Sequence, residues 1–281
     1  MKTIVYQGIK GSFSDMTAVK EFGLKNHFQG LDTFREVFEW VYVGKADCAV
    51  IPIENSLIGS IYENYDLLSA YEMQISGEIY TKIEHSLLTI ATSHEPVEEQ
   101  LKRIKKVLSH PKALEQCERF FQSHPWIEAV VFKDTAAAAA KIAQEKDPTC
   151  AAIASKYAKE LYGLEILKKG IQDDLKNTTR FVTIVKKGKQ NGLINKCSLL
   201  LQLKHVPGAL ADVLKRCADQ SLNVTKIESR PLPKTPFEYR FYIDCEWDGK
   251  TREEIEYFLE KLVPHVLRVT ILGFYKRGDH G

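Results

Sequence analysis

Strand-like segments alternate with capped helical segments through the first part of the chain, and this alternation limits the fold more than any other feature. Thr33 and Glu36 form a capping box, T-x-x-E, behind which apolar residues recur at helical spacing. The related S-x-x-E pattern at Ser60 predicts a second helix. Asp134 and Ser155 each follow a strand-like segment, where a helix cap belongs. Repeated β-then-α units favour an α/β fold with a mostly parallel sheet.

The pattern changes after residues 186–192, a charged, glycine-containing segment that we interpret as a linker. Beyond it come a strand, a helix over 208–221, two strands joined by a proline-rich turn, a helix and a final strand. This βαββαβ order predicts a ferredoxin-like unit over residues 193–277. Such a unit is a common superfold and by itself says little about function.

The composition excludes several classes of partner. With 39 basic and 37 acidic residues, the formal net charge of +2 gives no electrostatic reason to expect a nucleic acid or a membrane surface. No apolar run reaches the ~18 residues of a membrane helix, and the N-terminal segment is too short and polar for a signal peptide. The six cysteines lack CxxC spacing, so we expect reduced thiols and a cytoplasmic location. The histidine spacing predicts no metal site.

Polar residues cluster where the predicted strands meet helices. The segments GSFS, ENS, SHP and NTTR lie at strand–helix junctions or at a strand start, at residues 11–14, 54–56, 109–111 and 177–180. Ligands of α/β sheets bind at the carboxyl ends of strands, beside helix N-termini. We therefore expect these segments to share one cleft.

The first two junctions suit recognition of anions and polar groups. A glycine before Ser12 and Phe13 lets backbone amides approach an anion beside a helix N-terminus. Asn55 and Ser56 offer hydrogen-bond donors, and Glu54 could act as an acid or as a partner of a donor. An ordinary capped turn is the alternative interpretation of each segment.

The segment Asn177–Phe181 carries the most chemistry. Thr178 and Thr179 supply hydroxyls, and Arg180 supplies a guanidinium, just before an apolar strand. Along a strand, Thr179 and Phe181 face one way and Arg180 the other, so the adjacent turn must twist if all are to serve one cleft. A β-branched pair on an edge strand, with a surface arginine, is the alternative.

In combination these segments resemble the prephenate dehydratase family over nearly the whole chain. The matching segments are G-x-x-G-S-F-S at 8–14, IPIENSLIGS at 51–60, HSL at 85–87, SHP-x-AL-x-QC at 109–117, AAIAS at 151–155, ELYGL at 160–164 and NTTRF at 177–181. The C-terminal unit is similar to the family's ACT domain in PGAL at 207–210 and ESRP at 228–231. Two positions depart from the family pattern, Lys112 in place of the usual Gln and Asp134 in place of Ser or Thr, and both look like helix-terminus changes.

The resemblance implies a two-lobed catalytic domain, residues 1–187, similar to type II periplasmic binding proteins. Lobe one would cover about 1–76 and 171–187, and lobe two about 77–170. The chain would cross between lobes near Gly77 and again within 165–178. An ACT regulatory domain would follow over 193–277.

The resemblance also implies conversion of prephenate to phenylpyruvate, carbon dioxide and water without cofactor or metal. Thr179 would donate to the leaving hydroxyl, and Arg180, or backbone amides at Ser12 or Ser56, would clamp a carboxylate. Glu54 or His85 would be the ultimate proton source, although a single histidine is often structural. The remaining substrate-binding candidates are Phe13, Asn55, Asn177, Thr178 and Phe181.

Regulation by phenylalanine follows from the same resemblance, because the family's ACT domains bind the amino acid between paired domains. The expected contacts are Pro207, Gly208, Ala209, Leu210, Glu228, Ser229, Arg230 and Pro231. A homodimer or homotetramer is expected. Two alternatives remain open: an arogenate dehydratase, or a non-catalytic amino-acid-sensing or solute-binding protein of the same fold.

Overall fold

Three β-sheets organise the chain in the computed structural model, which describes residues 1–91, 95–188, 193–232, 235 and 238–279. The first sheet, in lobe one, is built from β1 (Thr3–Gln7), β2 (His27–Leu31), β3 (Cys48–Asn55), β4 (Gly59–Ser60), β5 (Gln74–Lys82) and β11 (Thr178–Val185). Its helices are α1 (Phe13–Phe22), α2 (Phe34–Tyr42) and α3 (Tyr62–Ala70). The strand order is β2-β1-β3-β11-β5, with β4 paired to β3.

The second sheet forms lobe two, with strand order β10-β6-β9-β7-β8. Its strands are β6 (Ser86–Thr89), β7 (Lys106–Ser109), β8 (Glu128–Val131), β9 (Cys150–Ala154) and β10 (Glu165–Lys168). Its helices are α4 (Val97–Arg103), α5 (Pro111–Glu115), α6 (Glu118–Ser123), α7 (Thr135–Glu145) and α8 (Lys156–Tyr162). Both sheets are mixed rather than mostly parallel, because β11 runs antiparallel to β3 and β5, and β6 antiparallel to β9 and β10.

The first crossing between lobes lies later than expected from the sequence. Gly77 is internal to β5 and pairs with Thr183 of β11, so it belongs to lobe one. Pairing continues to Lys82, opposite Thr178, because β11 offers an antiparallel partner along this length. The first crossing therefore follows Lys82, and the boundary at 77 was wrong. The return lies between β10 and β11, inside the expected interval.

The third sheet has the predicted βαββαβ order and forms the C-terminal domain. Its elements are β12 (Lys196–Gln202), α9 (Ala209–Asp219), β13 (Asn223–Pro231), β14 (Tyr239–Glu246), α10 (Arg252–Leu262), a 3₁₀ turn (Val263–His265) and β15 (Arg268–Tyr275). The antiparallel strand order β13-β14-β12-β15 is ferredoxin-like. Residues 189–192 of the expected linker, and 233, 234, 236 and 237 of the proline-rich turn, lie outside the described residues.

Of the two predicted capping boxes, one is confirmed. Thr33 Oγ1 accepts from the Glu36 amide at 3.2 Å, and the Glu36 carboxylate accepts from the Thr33 amide at 3.0 Å. Helix α3, by contrast, begins after Ile61, whose apolar side chain cannot cap it. Ser60 lies in β4 and donates instead to Glu228 of the C-terminal domain at 2.6 Å. The Ser60 hydroxyl therefore makes a contact between domains instead of capping α3, as the local pattern predicted.

The C-terminal domain packs one face of its sheet against lobe one. Four of its side chains belong to the same buried cluster as the lobe-one core: Leu200, Tyr242, Leu272 and Tyr275. Tyr242 also donates through its hydroxyl to the Tyr65 carbonyl at 2.9 Å. Gly273 approaches so closely that an added Cβ would lie 2.2 Å from the Ile75 carbonyl oxygen. Within the described ranges, no helix is long and apolar enough to cross a membrane.

Candidate active site

A cavity of about 240 Å³ separates the two lobes at the carboxyl ends of β1, β3, β7 and β8. The start of β11 reaches the same edge because this strand runs antiparallel to β3. Lobe one contributes Phe13, Ser14, Pro52, Asn55, Ile58, Ile61, Thr179 and Phe181, together with Ile83 from the crossing. Lobe two contributes His85, His110, Lys112, Ala113, Gln116, Asp134 and Thr135. At least one residue of each of the four predicted segments therefore lines this cleft.

The first turns of α1 and α7 border this cavity. Phe13 and Ser14 open α1 behind the cap residue Ser12, and Thr135 opens α7 behind the cap residue Asp134. Helix N-termini carry partial positive charge, and so attract anions. Lys112 adds a cationic side chain, which pairs with Glu115 at 2.8 Å, and Asp134 adds a carboxylate. The two helix N-termini are therefore the features of this cleft that best suit an anionic group.

The two backbone amides proposed as carboxylate clamps are already engaged. The Ser12 amide donates to the Ile9 carbonyl at 3.1 Å, and the Ser56 amide donates to the Thr178 carbonyl at 2.9 Å. The Ser12 hydroxyl accepts from the Asp15 amide at 3.2 Å, which makes it a helix cap rather than part of the cavity wall. Both proposed clamps are therefore wrong, because each donor completes a local turn or strand pairing.

The orientation of Asn55 is set by two backbone donors. Its Oδ1 accepts from the amides of Leu57 and Ile58 at 3.0 and 3.1 Å. Because an amide N–H can only donate, the Nδ2 group must face the opposite way. It donates to Asn177 Oδ1 at 2.7 Å and to Thr179 Oγ1 at 2.9 Å. The Thr179 oxygen thus accepts a hydrogen bond, leaving its own O–H to donate toward the cleft.

The same logic extends to His85. With Asn177 Oδ1 facing Asn55, its Nδ2 donates to Gln116 Oε1 at 3.0 Å. That oxygen also lies 3.0 Å from His85 Nε2, which must therefore carry a proton. Burial lowers the pKa of His85 below its usual 6.5, although the bond to Gln116 opposes this shift. His85 is a neutral, Nε2-protonated imidazole, and its buried Nδ1 has no hydrogen-bond partner among the described residues.

Four predicted site residues lie on the opposite face of the first sheet. Arg180 is buried between lobe one and the C-terminal domain, where it contacts Glu78, Asp244 and Tyr275. Glu54, Ser56, Thr178 and Arg180 line a second cavity there, of about 430 Å³. Their assignment to the substrate cleft was wrong. Side chains alternate along a strand, so Arg180 lies on the sheet face opposite Thr179, and Glu54 on the face opposite Asn55.

A sequence profile described as prephenate dehydratase matches residues 4–189. The chain belongs to the prephenate dehydratase family. It is 40% identical to Arogenate dehydratase/prephenate dehydratase 2, chloroplastic, of Arabidopsis thaliana, covering 97% of this chain and 72% of the relative. It is 35% identical to Prephenate dehydratase of Methanocaldococcus jannaschii, covering 98% of both chains.

Solved structures agree with this family assignment. A prephenate dehydratase from Arthrobacter aurescens in complex with L-Phe matches with a TM-score of 0.85 and 26% identity, over 99% of this chain and 91% of that one. A structure described as GqqA, a novel type of quorum quenching acylases, matches with a TM-score of 0.85 and 28% identity over 98% of both chains. The common architecture therefore includes a protein described by a different activity.

Sequence reasoning missed Gln116 as a member of this dehydratase-family site. It lies at the end of α5, where its side chain links His85 to Asn177. The only signal was its place in SHP-x-AL-x-QC, since a helix-terminal glutamine has no distinctive local pattern. Lys112 and Asp134 do lie at helix starts, as expected, and both also line the cleft. Among the described residues, no group of three His, Cys, Asp or Glu side chains could hold a metal ion.

Proposed function

We propose that this chain catalyses the decarboxylating dehydration of prephenate to phenylpyruvate, as a carbon–oxygen lyase. The main support is the Asn55–Thr179 contact at 2.9 Å, which leaves the Thr179 proton available inside a cleft suited to anions. The catalytic part would be a two-lobed domain of the type II periplasmic-binding-protein kind. The C-terminal domain would be an ACT domain. Reduced thiols favour the cytoplasm, and the six cysteines are free.

Thr179 would assist departure of the ring hydroxyl. An alcohol is a very weak acid, so its task would be hydrogen-bond donation to the developing hydroxide rather than full proton transfer. As the carbon–carboxylate bond breaks, its electron pair enters the ring system, and the carbon–oxygen bond breaks in turn. Carbon dioxide and hydroxide leave, and protonation of the hydroxide gives water.

The two carboxylates of prephenate would occupy different parts of the cleft. The first turns of α1 and α7, with Lys112, suit the pyruvyl carboxylate, which keeps its charge. The departing carboxylate loses charge in the transition state, which suits the apolar side of the cavity formed by Ile58, Ile61 and Phe181. Arg180 takes no part in this binding scheme.

Neither proposed proton source has direct access to the leaving group. Glu54 is behind the sheet, bound to Lys226 at 2.8 Å. His85 directs its one proton to Gln116. We therefore propose that His85 positions Gln116 and Asn177, and through them Asn55 and Thr179, while solvent supplies the proton.

Phenylalanine would bind to paired C-terminal domains and inhibit. Pro207, Ala209 and Leu210 border a cavity of about 430 Å³ within this domain. Glu228 and Arg230 point away from that cavity, because Glu228 accepts from Ser60 and Arg230 pairs with Asp66. Ser229 and Pro231 pair with Phe241 and Tyr239, which line it. Binding between paired domains, as the family resemblance implies, would require a homodimer or homotetramer.

The deciding experiment incubates the purified chain with prephenate and follows phenylpyruvate by ultraviolet absorbance. Prephenate turnover supports the proposal. Turnover of arogenate alone would favour arogenate dehydratase, and hydrolysis of an acyl amide alone would favour an acylase. Phenylalanine binding without turnover of any of these compounds would favour a non-catalytic sensor.

A further inference from the structure

We propose that Arg180 is a positioning residue, which makes turnover at Thr179 depend on how the C-terminal domain is seated against lobe one. The inference rests on the proposed dehydratase function. It assigns to this arginine a task on the side of the sheet facing away from the substrate.

Thr179 and Arg180 are adjacent on β11 and share one segment of backbone. Thr179 pairs with Asn55 on one side and Thr81 on the other, while Arg180 pairs with Glu54 and Tyr80. The strand is thus held from both sides at this level. Since successive side chains point to opposite faces, any shift or twist of the strand at Arg180 also moves the Thr179 hydroxyl.

Three donors of the Arg180 guanidinium reach three different strands. Nε donates to Glu78 Oε2 of β5 at 2.7 Å, within lobe one. Nη1 donates to Asp244 of β14, and Nη2 donates to the Tyr275 hydroxyl of β15 at 3.0 Å. The planar, rigid guanidinium fixes direction as well as distance. Two of these three contacts belong to the C-terminal domain, so its position determines where Arg180 is held.

The two C-terminal partners are themselves held in place. The Ser198 hydroxyl hydrogen-bonds to Asp244 and lies 2.6 Å from the Tyr275 hydroxyl. Burial alone would raise the pKa of Asp244, but the Arg180 guanidinium and the Ser198 hydroxyl hold it below its usual value. The carboxylate therefore stays charged at neutral pH and keeps its ion pair with Arg180.

A second contact repeats this arrangement on β3. Glu54 faces the C-terminal domain and accepts from Lys226 at 2.8 Å, while its neighbour Asn55 faces the Thr179 side. The Asn55–Thr179 pair thus lies on two strands whose rear-facing neighbours are both bound by the C-terminal domain. We infer that seating this domain sets the geometry of the pair.

The test uses two variants on the C-terminal domain, neither of which lines the cleft: Asp244→Asn and Tyr275→Phe. Each should lower kcat for prephenate by about 10–100-fold, as expected when a distant mutation displaces a catalytic donor. KM should stay within about twofold, because substrate contacts are unchanged. Asp248→Asn, at an exposed aspartate of the same domain that pairs with Arg277, is the matched control and should keep wild-type kcat.

Circular dichroism and size-exclusion chromatography would give the folded fraction for each variant, so that kcat refers to folded enzyme. Unchanged kcat in both variants overturns the inference, even if their melting temperatures fall, because that result describes a structural contact alone. If Asp244→Asn does not fold, Tyr275→Phe decides, since it removes one hydroxyl and no charge. Absence of turnover in the wild type would instead refute the proposed function.

Discussion

The Asn55 side-chain amide donates to the Thr179 hydroxyl oxygen at 2.9 Å, across two paired strands of the first sheet. Its orientation comes from two backbone amides in the following turn, which bind Asn55 Oδ1. The Thr179 oxygen is therefore held as an acceptor by a chain of hydrogen bonds that begins in this turn, and its own proton is left to donate. Such preorganised donors are a large part of catalysis, because they need no reorientation during the reaction.

Removing the Thr179 hydroxyl should slow chemistry without weakening substrate binding. We expect Thr179→Ala to lower kcat by about 10²–10³-fold, roughly 3–4 kcal/mol, as for loss of one preorganised donor. Steady-state kinetics with prephenate would measure the effect. Thr178→Ala, on the opposite face of the strand, is the control and should change kcat far less. Half of wild-type activity in Thr179→Ala would rule out this role.

Gln116 should matter for both catalysis and stability. Gln116→Met keeps the side-chain length but leaves His85 Nε2 and Asn177 Nδ2 without their acceptor, at a cost of about 1–3 kcal/mol for each buried donor. Misplacement of Asn55 and Thr179 should lower kcat by about 10–100-fold. Kinetics and thermal melts would test both effects. Gln122→Met, at a helix surface position, should alter neither, and equal behaviour of the two variants would contradict the network.

Acid should destabilise the protein partly through His85. Its pKa in the folded state is lowered by burial, so the unfolded state binds more protons once the pH falls below about 6.5. The stability contributed by neutral His85 is present above that value and is lost as the pH falls toward the folded-state pKa. Melting temperatures from pH 8 to pH 5 should therefore fall less steeply in His85→Gln. His27→Gln, on the exposed end of β2, serves as control, and parallel curves for all three proteins would disprove the assignment.

The contact between Gly273 and Ile75 should be intolerant of any side chain. A Cβ at Gly273 would meet the Ile75 carbonyl oxygen at 2.2 Å, and backbone must move to relieve the clash. We expect Gly273→Ala to cost about 1–3 kcal/mol in free energy of unfolding. Gly77→Ala, on the same β5 strand as Ile75 but with open space around its Cβ among the described residues, is the matched control. Denaturant titration would compare them, and equal stability would show that the domains pack less closely.

Gly208 should be needed for the response to phenylalanine. It caps α9 at φ +83°, in the left-handed region that a β-branched residue strongly disfavours. Gly208→Val should distort the turn beside Pro207 and raise the phenylalanine concentration needed for half inhibition, with kcat in its absence little changed. Ala211→Val, exposed on the same helix, is the control. Wild-type sensitivity of Gly208→Val would place the effector elsewhere.

Local patterns in the sequence predicted most elements and the order of the domains. Residues close in sequence are enough to predict the helix caps at Thr33, Asp134 and Ser155. The same is true of the βαββαβ order of elements. The period of two along a strand likewise separates Thr179 and Phe181 from Arg180 on local grounds alone. These features can be predicted without knowing which elements pack against each other.

Only the tertiary structure decided which face of each strand lines the cleft. Strand alternation places Arg180 on the face opposite Thr179. The C-terminal domain covers the arginine there, and its Asp244, more than sixty residues away in sequence, pairs with the guanidinium. Ser60 donates to Glu228 instead of capping a helix, and Gln116 contacts His85 within lobe two and Asn177 across the lobes. Contacts between distant segments depend on how whole layers pack, and no local spacing encodes them. The sequence alone therefore indicated the family and the threonine that we propose as a donor, while the fold determined which polar side chains contact it.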